Sequence, residues 1–217
     1  MVLKILSPDI SHKSDVGGVA LQLDTAADVQ HAAQSMLARV RRLKPQAQIQ
    51  GFTVQAMVQR PQALELIVGS HVDPMFGPII LFGAGGTAVE VVADRAVALP
   101  PLNEPLARAL IDRTRVARLL DGWRDVPPAD RDALVQVLTS LSQLLADEPR
   151  IAEIDINPLL ADAQGVLALD ARVRVSAAAP GGAAHFAIRP YPASHVETVD
   201  WQGLPLVLRP IRPEDEA

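Results

Sequence analysis

The chain has 217 residues, 49% of them hydrophobic and 21% charged, with a formal net charge of -5. That balance belongs to a folded globular protein of one large or two small domains and excludes a wholly disordered chain. The acidic balance and the 3% aromatic content count against nucleic-acid binding, which needs a basic surface and stacking platforms. Cysteine is absent, which excludes disulfides, iron–sulfur clusters and thiolate chemistry, so any metal must be held by oxygen or imidazole. No run approaches the roughly 18 to 20 apolar residues of a membrane span, and the N-terminal MVLKILSPD lacks the pattern of a signal peptide, so a cytoplasmic protein is expected.

In chain order, Val2 to Leu6 reads as a strand ended by Ser7-Pro8-Asp9. A polar loop from Ser11 closes on Gly17-Gly18, before a second strand over Val19 to Leu23. Thr25 is an N-cap candidate with Asp28 three residues on, and Val29, Ala32, Ala33, Met36, Leu37, Val40 and Leu43 follow at helical spacing, which predicts a helix over Ala26 to Leu43. Phe52 to Val58 and Leu64 to Val72 read as strands joined by a turn at Arg60-Pro61-Gln62. Ile79 to Phe82 is a third strand, and Val89 to Val92 starts another after Gly83-Ala84-Gly85-Gly86. Asp73-Pro74-Met75-Phe76-Gly77-Pro78 reads as turn residues plus an aromatic plug.

From Glu104 to Ala146 the period becomes helical, with Asn103 as a cap, and two or three helices are expected. Ile151 to Ile156 and Val166 to Leu169 are strands flanking a turn at 162–165. Interleaved strands, hairpins and helices make the fold class α+β, or mixed α/β. Past Val175 the composition turns to Ala, Gly and Pro, where ordered structure is expected to lapse. Leu206 to Ile211 then reads as a strand of something new.

Two segments carry chemistry. Lysine is rare, three residues against seventeen arginines, which reads most simply as a coding bias; if Arg has replaced Lys wherever a positive charge suffices, the surviving ammonium groups mark places where a compact charge is wanted. Lys4 on a strand beside a loop ending in Gly17-Gly18 offers a point charge and backbone N–H groups that can approach phosphate oxygen; the same pattern also serves as a plain turn. Farther along, alternation places Glu153, Asp155 and Asn157 on one strand face, and a hairpin would bring Asp170 alongside. That oxygen set suits Mg²⁺ completed by phosphate and water; equally, it describes a solvated sheet face.

The runs KILSPDISHKSDVGGV, ELIVGSHVDPMFGPIILFGAGG, EIDINPLL and LALDAR, in that order over about residues 2 to 175, resemble the ATP-grasp part of NDP-forming acyl-CoA synthetases, relatives of succinyl-CoA synthetase. The resemblance implies an ATP-grasp fold, two α/β subdomains with the nucleotide between them, spanning 1–176. It implies ATP or ADP and Mg²⁺ as cofactors. Lys4 would reach the nucleotide phosphates, Ser11, His12 and Lys13 would form a phosphate-proximal loop, and Glu65 would contact the nucleotide. Gln55, Met57 and Val58 would pass the adenine. Asn157 and Asp170 would ligate Mg²⁺, with Asp155 nearby. His12 matches a histidine that takes a phosphoryl group in transit between a partner's phosphohistidine and ADP, a role suited to a neutral imidazole near pH 7.

The same resemblance implies part of an acid–thiol ligase. The residues before Lys4 in such domains, and the CoA-binding and ligase-like regions that bring CoA, acyl substrate and the primary phosphohistidine, lie outside this sequence. The N-terminal subdomain is expected to be incomplete and the assembly oligomeric. LVLRPIRPEDE at Leu206 to Glu216 resembles the first strand and turn of GNAT acetyltransferases. This implies a linker over 177–204, the start of a GNAT domain over 205–217, and an alternative function: a ligand-sensing module of a protein lysine acetyltransferase.

Overall fold

The computed structural model describes residues 1–10, 13–86, 93–177 and 186–215. It divides into two compact units, Met1–Gln59 and Arg60–Ala217.

In the first unit, strands β1 (Val2–Leu6), β2 (Val19–Ala20) and β3 (Gly51–Gln55) form an antiparallel sheet in the order β2-β1-β3. Helix α1 (Ala26–Leu43) has the predicted bounds. Its start is fixed by a reciprocal capping box: Thr25 Oγ1 accepts the Asp28 N–H at 3.1 Å while Asp28 Oδ2 accepts the Thr25 N–H at 2.9 Å. Met36 and Val40 of α1 pack with Leu3, Ile5, Ile10 and Val16 into a small core. Because side chains alternate across a strand, Lys4 falls on the sheet face away from this core. β2 stops three residues short of the expected Leu23. β3 ends at Gln55, so Met57 and Val58 lie beyond the strand, in a stretch without regular structure.

The second unit holds the larger core. Strands β4 (Leu64–Asp73), β5 (Gly77–Ala84), β6 (Arg95–Ala98), β7 (Ile151–Asp162) and β8 (Gly165–Ala168) run in the order β6-β5-β4-β7-β8, and β9 (Ala171–Val175) also pairs with β7. Helices α2 (Glu104–Asp112), α3 (Ala117–Leu120) and α4 (Arg131–Asp147) follow β6. Asn103 caps α2 by accepting the Leu106 N–H at 3.0 Å, and Asp130 caps α4 by accepting the Ala133 N–H at 2.9 Å. Leu110, Ile111, Leu134, Leu138 and Leu145 of α2 and α4 pack against Leu66, Val68, Ile80, Phe82, Ile154 and Leu159 of the sheet. Among the described residues, the helices of this core all lie on that one sheet face. No helix among the described residues is long and apolar enough to cross a membrane.

Several expectations are corrected. Strands β3 and β4 flank the Arg60-Pro61-Gln62 turn without pairing: β3 pairs with β1, and β4 pairs with β5 and β7. β7 is twice the expected length because its hydrogen-bond partner changes from β9 to β8 along it. Phe76 is 47% exposed and so is no plug; the β4–β5 turn is instead held by Asp73, whose carboxylate accepts the Met75 and Phe76 N–H groups at 2.8 and 3.0 Å. The expected strand over Val89 to Val92 lies outside the described residues.

Within 177–204, read as linker, 178–185 lie outside the described residues, whereas Glu197–Trp201 is a strand, β10, paired with β11 (Leu204–Leu208). The hairpin therefore starts ahead of residue 205. After β11 the chain is pinned by Arg209, which meets both carboxylate oxygens of Asp215 at 2.6 and 2.7 Å.

Leu138 is fully buried whereas Leu144 is 41% exposed. Leu138→Ala is expected to cost about 2 to 5 kcal/mol in urea unfolding, and Leu144→Ala under about 1 kcal/mol. The Arg209 guanidinium, with the Arg212 N–H, pulls the Asp215 carboxyl down to about 2. Its contribution is therefore complete above the ordinary carboxylate value near 3.8 and disappears as pH falls through about 2. A carbon-detected NMR titration should place the Asp215 midpoint there, and Arg209→Ala should return it towards the ordinary value.

Candidate functional site

In each unit, expected site residues fall on the sheet face opposite the described helices, the helix-free face of the described residues. In the first unit, antiparallel register sets Lys4 opposite Thr53 and Val2 opposite Gln55, so Lys4 and Gln55 are diagonal neighbours on one face. The loop before β2 is tied to β1: the Ile5 N–H donates to Gly18 O at 2.8 Å and the Gly18 N–H donates to Lys13 O at 2.7 Å. Lys13 heads a 3₁₀ turn over Ser14–Val16. Ser11 and His12 lie outside the described residues. Met57 and Val58 are half-buried.

In the second unit the site is built around an irregularity in β7. Leu66 faces Leu159 and Val68 faces Ile156, so Ile67 alone opposes Asn157 and Pro158. Such a bulge carries one extra residue and re-aims the side chains next to it. Register puts Glu65, Ile67 and Gly69 of β4 and Asp155 and Asn157 of β7 on the helix-free face. At the same point β7 exchanges β9 for β8, and the chain between those strands carries Asp170. The Asn157 N–H donates to Asp170 O at 3.2 Å and the Leu169 N–H donates to Pro158 O at 3.0 Å. Asp155, Asn157 and Asp170 are thereby brought together, as the hairpin expectation required.

Gly85 and Gly86 close the other side. The Gly85 N–H donates to Glu65 O at 2.7 Å, and the Gly86 N–H reaches Asn157 Oδ1 at 3.4 Å, a long and weak bond. Gly86 has φ +75°, and a Cβ there would lie 2.1 Å from Glu65 Oε2; one on Gly85 would lie 2.5 Å from the Leu66 backbone. Both glycines thus lie in close approach to the neighbouring strand β4. The side-chain amide oxygen of Asn157 and the carboxylates of Asp155 and Asp170 are hard oxygen donors that fit Mg²⁺. No group of three or more His, Asp or Glu able to hold a metal occurs among the described residues.

The sequence reading passed over β9. Its alternation Ala171-Arg172-Val173-Arg174-Val175 was the available signal, since it puts two guanidinium groups on one face. Arg174 pairs with Glu153 at 2.9 Å, and Arg172 stands opposite Asp155 in register and 3.7 Å from the Asp170 carboxylate. Glu153 is thereby engaged in a cross-strand ion pair. A groove of about 560 Å³ over this face is lined by Ile67, Gly69, His71, Leu81, Asp155 and Arg174 among others.

Residues 1–175 match the ATP-grasp domain family. The chain belongs to the ATP-grasp family. Within it, this ATP-grasp chain is homologous to ADP-forming acetate–CoA ligases. Ligase I of Archaeoglobus fulgidus is 40% identical over 173 residues, which is 80% of this chain and 25% of that protein. The ligase I β subunit of Pyrococcus furiosus is 35% identical over 173 residues, 80% of this chain and 74% of the subunit. The ATP-grasp chain thus spans about a quarter of the first relative and three quarters of the second. Among solved structures, the dinucleotide-forming acetyl-coenzyme A synthetase 1 of Ca. Korarchaeum cryptofilum, in complex with coenzyme A, Ca-AMPCP and HgCl⁺, superposes with a TM-score of 0.75 at 37% identity, covering 80% of this chain and 75% of that one. The same enzyme with coenzyme A and Mg-AMPPCP, its phosphohistidine segment pointing towards the nucleotide-binding site, gives 0.66 at 32% identity over 81% and 76% of the chains.

Gly86→Ala forces a side chain into a left-handed conformation and is expected to cost about 1 to 2 kcal/mol in chemical unfolding. Gly85→Ala, which meets fixed backbone, should cost more. Adding Glu65→Ala should recover little of the Gly86→Ala loss, because the backbone conformation causes it.

Proposed function

We propose that this chain binds ATP or ADP with Mg²⁺, the metal lying at the sheet face of the second unit that carries Asn157 and Asp170. It would serve as the nucleotide-binding portion of an ADP-forming acyl-CoA synthetase, which interconverts acyl-CoA, ADP and phosphate with acid, CoA and ATP. The observation that carries this reading is the junction of Asn157 and Asp170 on the helix-free face of β7, joined by the Asn157 N–H to Asp170 O bond. The family match over 1–175 and the Mg-AMPPCP complex of the korarchaeal enzyme support it.

In this reading Asn157 and Asp170 hold Mg²⁺, with Asp155 beside them; the ion, when bound, neutralises phosphate oxygens and fixes their geometry. Lys4 supplies an ammonium for the nucleotide phosphates, since phosphoryl transfer depends on positioning and charge neutralisation. Glu65 contacts the nucleotide, Gln55, Met57 and Val58 flank the adenine, and Ser11 and Lys13 flank the phosphates. His12 is the phosphoryl relay. A P–N bond forms on its imidazole as the P–N bond to the partner's phosphohistidine breaks. An oxygen of the ADP β-phosphate then forms a P–O bond as the P–N bond on His12 breaks, leaving both imidazoles unmodified. CoA and the acyl substrate come with CoA-binding and ligase-like domains of the same synthetase, in a cytoplasmic oligomer.

The residues past the family match favour a second reading. β10 and β11 lie outside the matched 1–175 and expose Trp201, Leu204, Leu206, Val207 and Leu208, consistent with the first strands of a GNAT acetyltransferase. There the ATP-grasp portion would sense a ligand for that domain without transferring phosphoryl.

Mg-ATP at about 100 times its dissociation constant should stabilise the protein by about 2.7 kcal/mol, read as a thermal shift that Asp170→Ala removes. Absence of any shift in the wild type would contradict nucleotide binding. With a phosphohistidine partner and γ-labelled ATP, label should appear on the wild type and vanish in His12→Ala. Nucleotide binding without label would favour the sensor.

A further inference from the structure

Arg172 has a place in the fold that the family reading leaves unused. It sits on β9 directly across from Asp155, its guanidinium lies 3.7 Å from Asp170 Oδ2, and the pair is about one-third exposed, 38% for the arginine and 29% for the aspartate. Two residues along, Arg174 and Glu153 form a shorter pair at 2.9 Å on the same two strands. The spacing differs in a way that bears on use. Arg174 donates to Glu153 from Nε at 3.0 Å and forms a closed ion pair, whereas Arg172 stands off from Asp170 at a distance beyond a hydrogen bond. Its guanidinium sets a positive charge beside the Asp170 carboxylate.

We infer that Arg172 is a built-in counter-ion of the metal site: it offsets the charge of Asp155 and Asp170 when no metal is bound and so makes the site take a divalent cation together with nucleotide rather than alone. This rests on the assignment of Asn157 and Asp170 as metal ligands. The physics is direct. A fixed positive charge beside the ligands opposes an arriving cation, and the polyphosphate restores the negative charge that the arginine offsets. The polyphosphate also gives the guanidinium a second anion to face, so removing the arginine helps the bare metal and does not help the metal–nucleotide complex. Arg172 is a positioning residue, acting through Asp170.

The test is Mn²⁺ binding, followed by electron paramagnetic resonance of the free ion, for the whole chain with and without ATP. In the absence of nucleotide, Arg172→Gln is expected to tighten Mn²⁺ binding by about two- to fivefold, the range of a part-exposed ion pair, and the gain should shrink as salt is raised. Arg172→Lys, which keeps the charge, should behave like wild type. With ATP present the Gln variant should show no gain. Circular dichroism confirms that each variant is folded, and the Lys variant keeps the question answerable should the Gln variant unfold: loss of wild-type Mn²⁺ affinity on Arg172→Lys would count against a charge effect. Unchanged or weaker nucleotide-free binding in Arg172→Gln overturns the inference and leaves Mn²⁺–ATP binding intact. Failure of the wild type to bind Mn²⁺ with ATP overturns the nucleotide-site assignment as well.

Discussion

The site in the second unit depends on one backbone hydrogen bond, from the Asn157 N–H to Asp170 O at 3.2 Å. A regular strand cannot pair with two different neighbours along one edge without an interruption where they change over. β7 does this: its first half pairs with β9 and its second with β8. At the changeover the ladder would leave backbone groups unsatisfied, a costly state when they are buried. The Asn157 N–H and the Pro158 carbonyl are instead taken up by Asp170 O and the Leu169 N–H. The same bonds place an amide oxygen and a carboxylate side by side, so the device that completes the sheet also assembles the oxygen donors.

The opposite edge of β7 is constrained with equal economy. Where Ile67 faces two residues instead of one, the strand bends, and the Gly85-Gly86 segment returns over β4 close enough for its N–H groups to reach Glu65 O and Asn157 Oδ1. A Cβ on Gly85 would meet the Leu66 backbone at 2.5 Å, and Gly86 holds a left-handed φ of +75°. The helix face of the sheet, filled by leucines of α2 and α4, is the rigid backing. Its opposite face carries glycine at 69 and carboxylates at 65, 153 and 155.

Much of this was legible from residue pattern. Thr25 and Asp28 fixed the start of α1, because a capping box is a local device that needs no tertiary partner. The alternation of Glu153, Asp155 and Asn157 and the turn at 162–165 pointed to Asp170 coming alongside. What local pattern could not supply was long-range pairing. That β4 would leave β3 and join β7, nearly ninety residues on, follows from burying Leu66 and Val68 beside Ile154 and Leu159, and no short window contains that information. β9 was lost among Ala and Arg for the same reason: its strand character comes from pairing Arg172 and Arg174 with Asp155 and Glu153. Phe76 looked like core by residue type, yet its hairpin tip has no second layer to bury it.

The account's central claim is that a nucleotide-bound metal sits at Asn157 and Asp170. The most direct measurement is amide-detected NMR of the isotope-labelled chain with Mn²⁺–ATP against Mg²⁺–ATP, since the paramagnetic ion broadens only nearby signals. The account predicts losses centred on Asn157 and Asp170. Broadening centred away from Asn157 and Asp170 would contradict it.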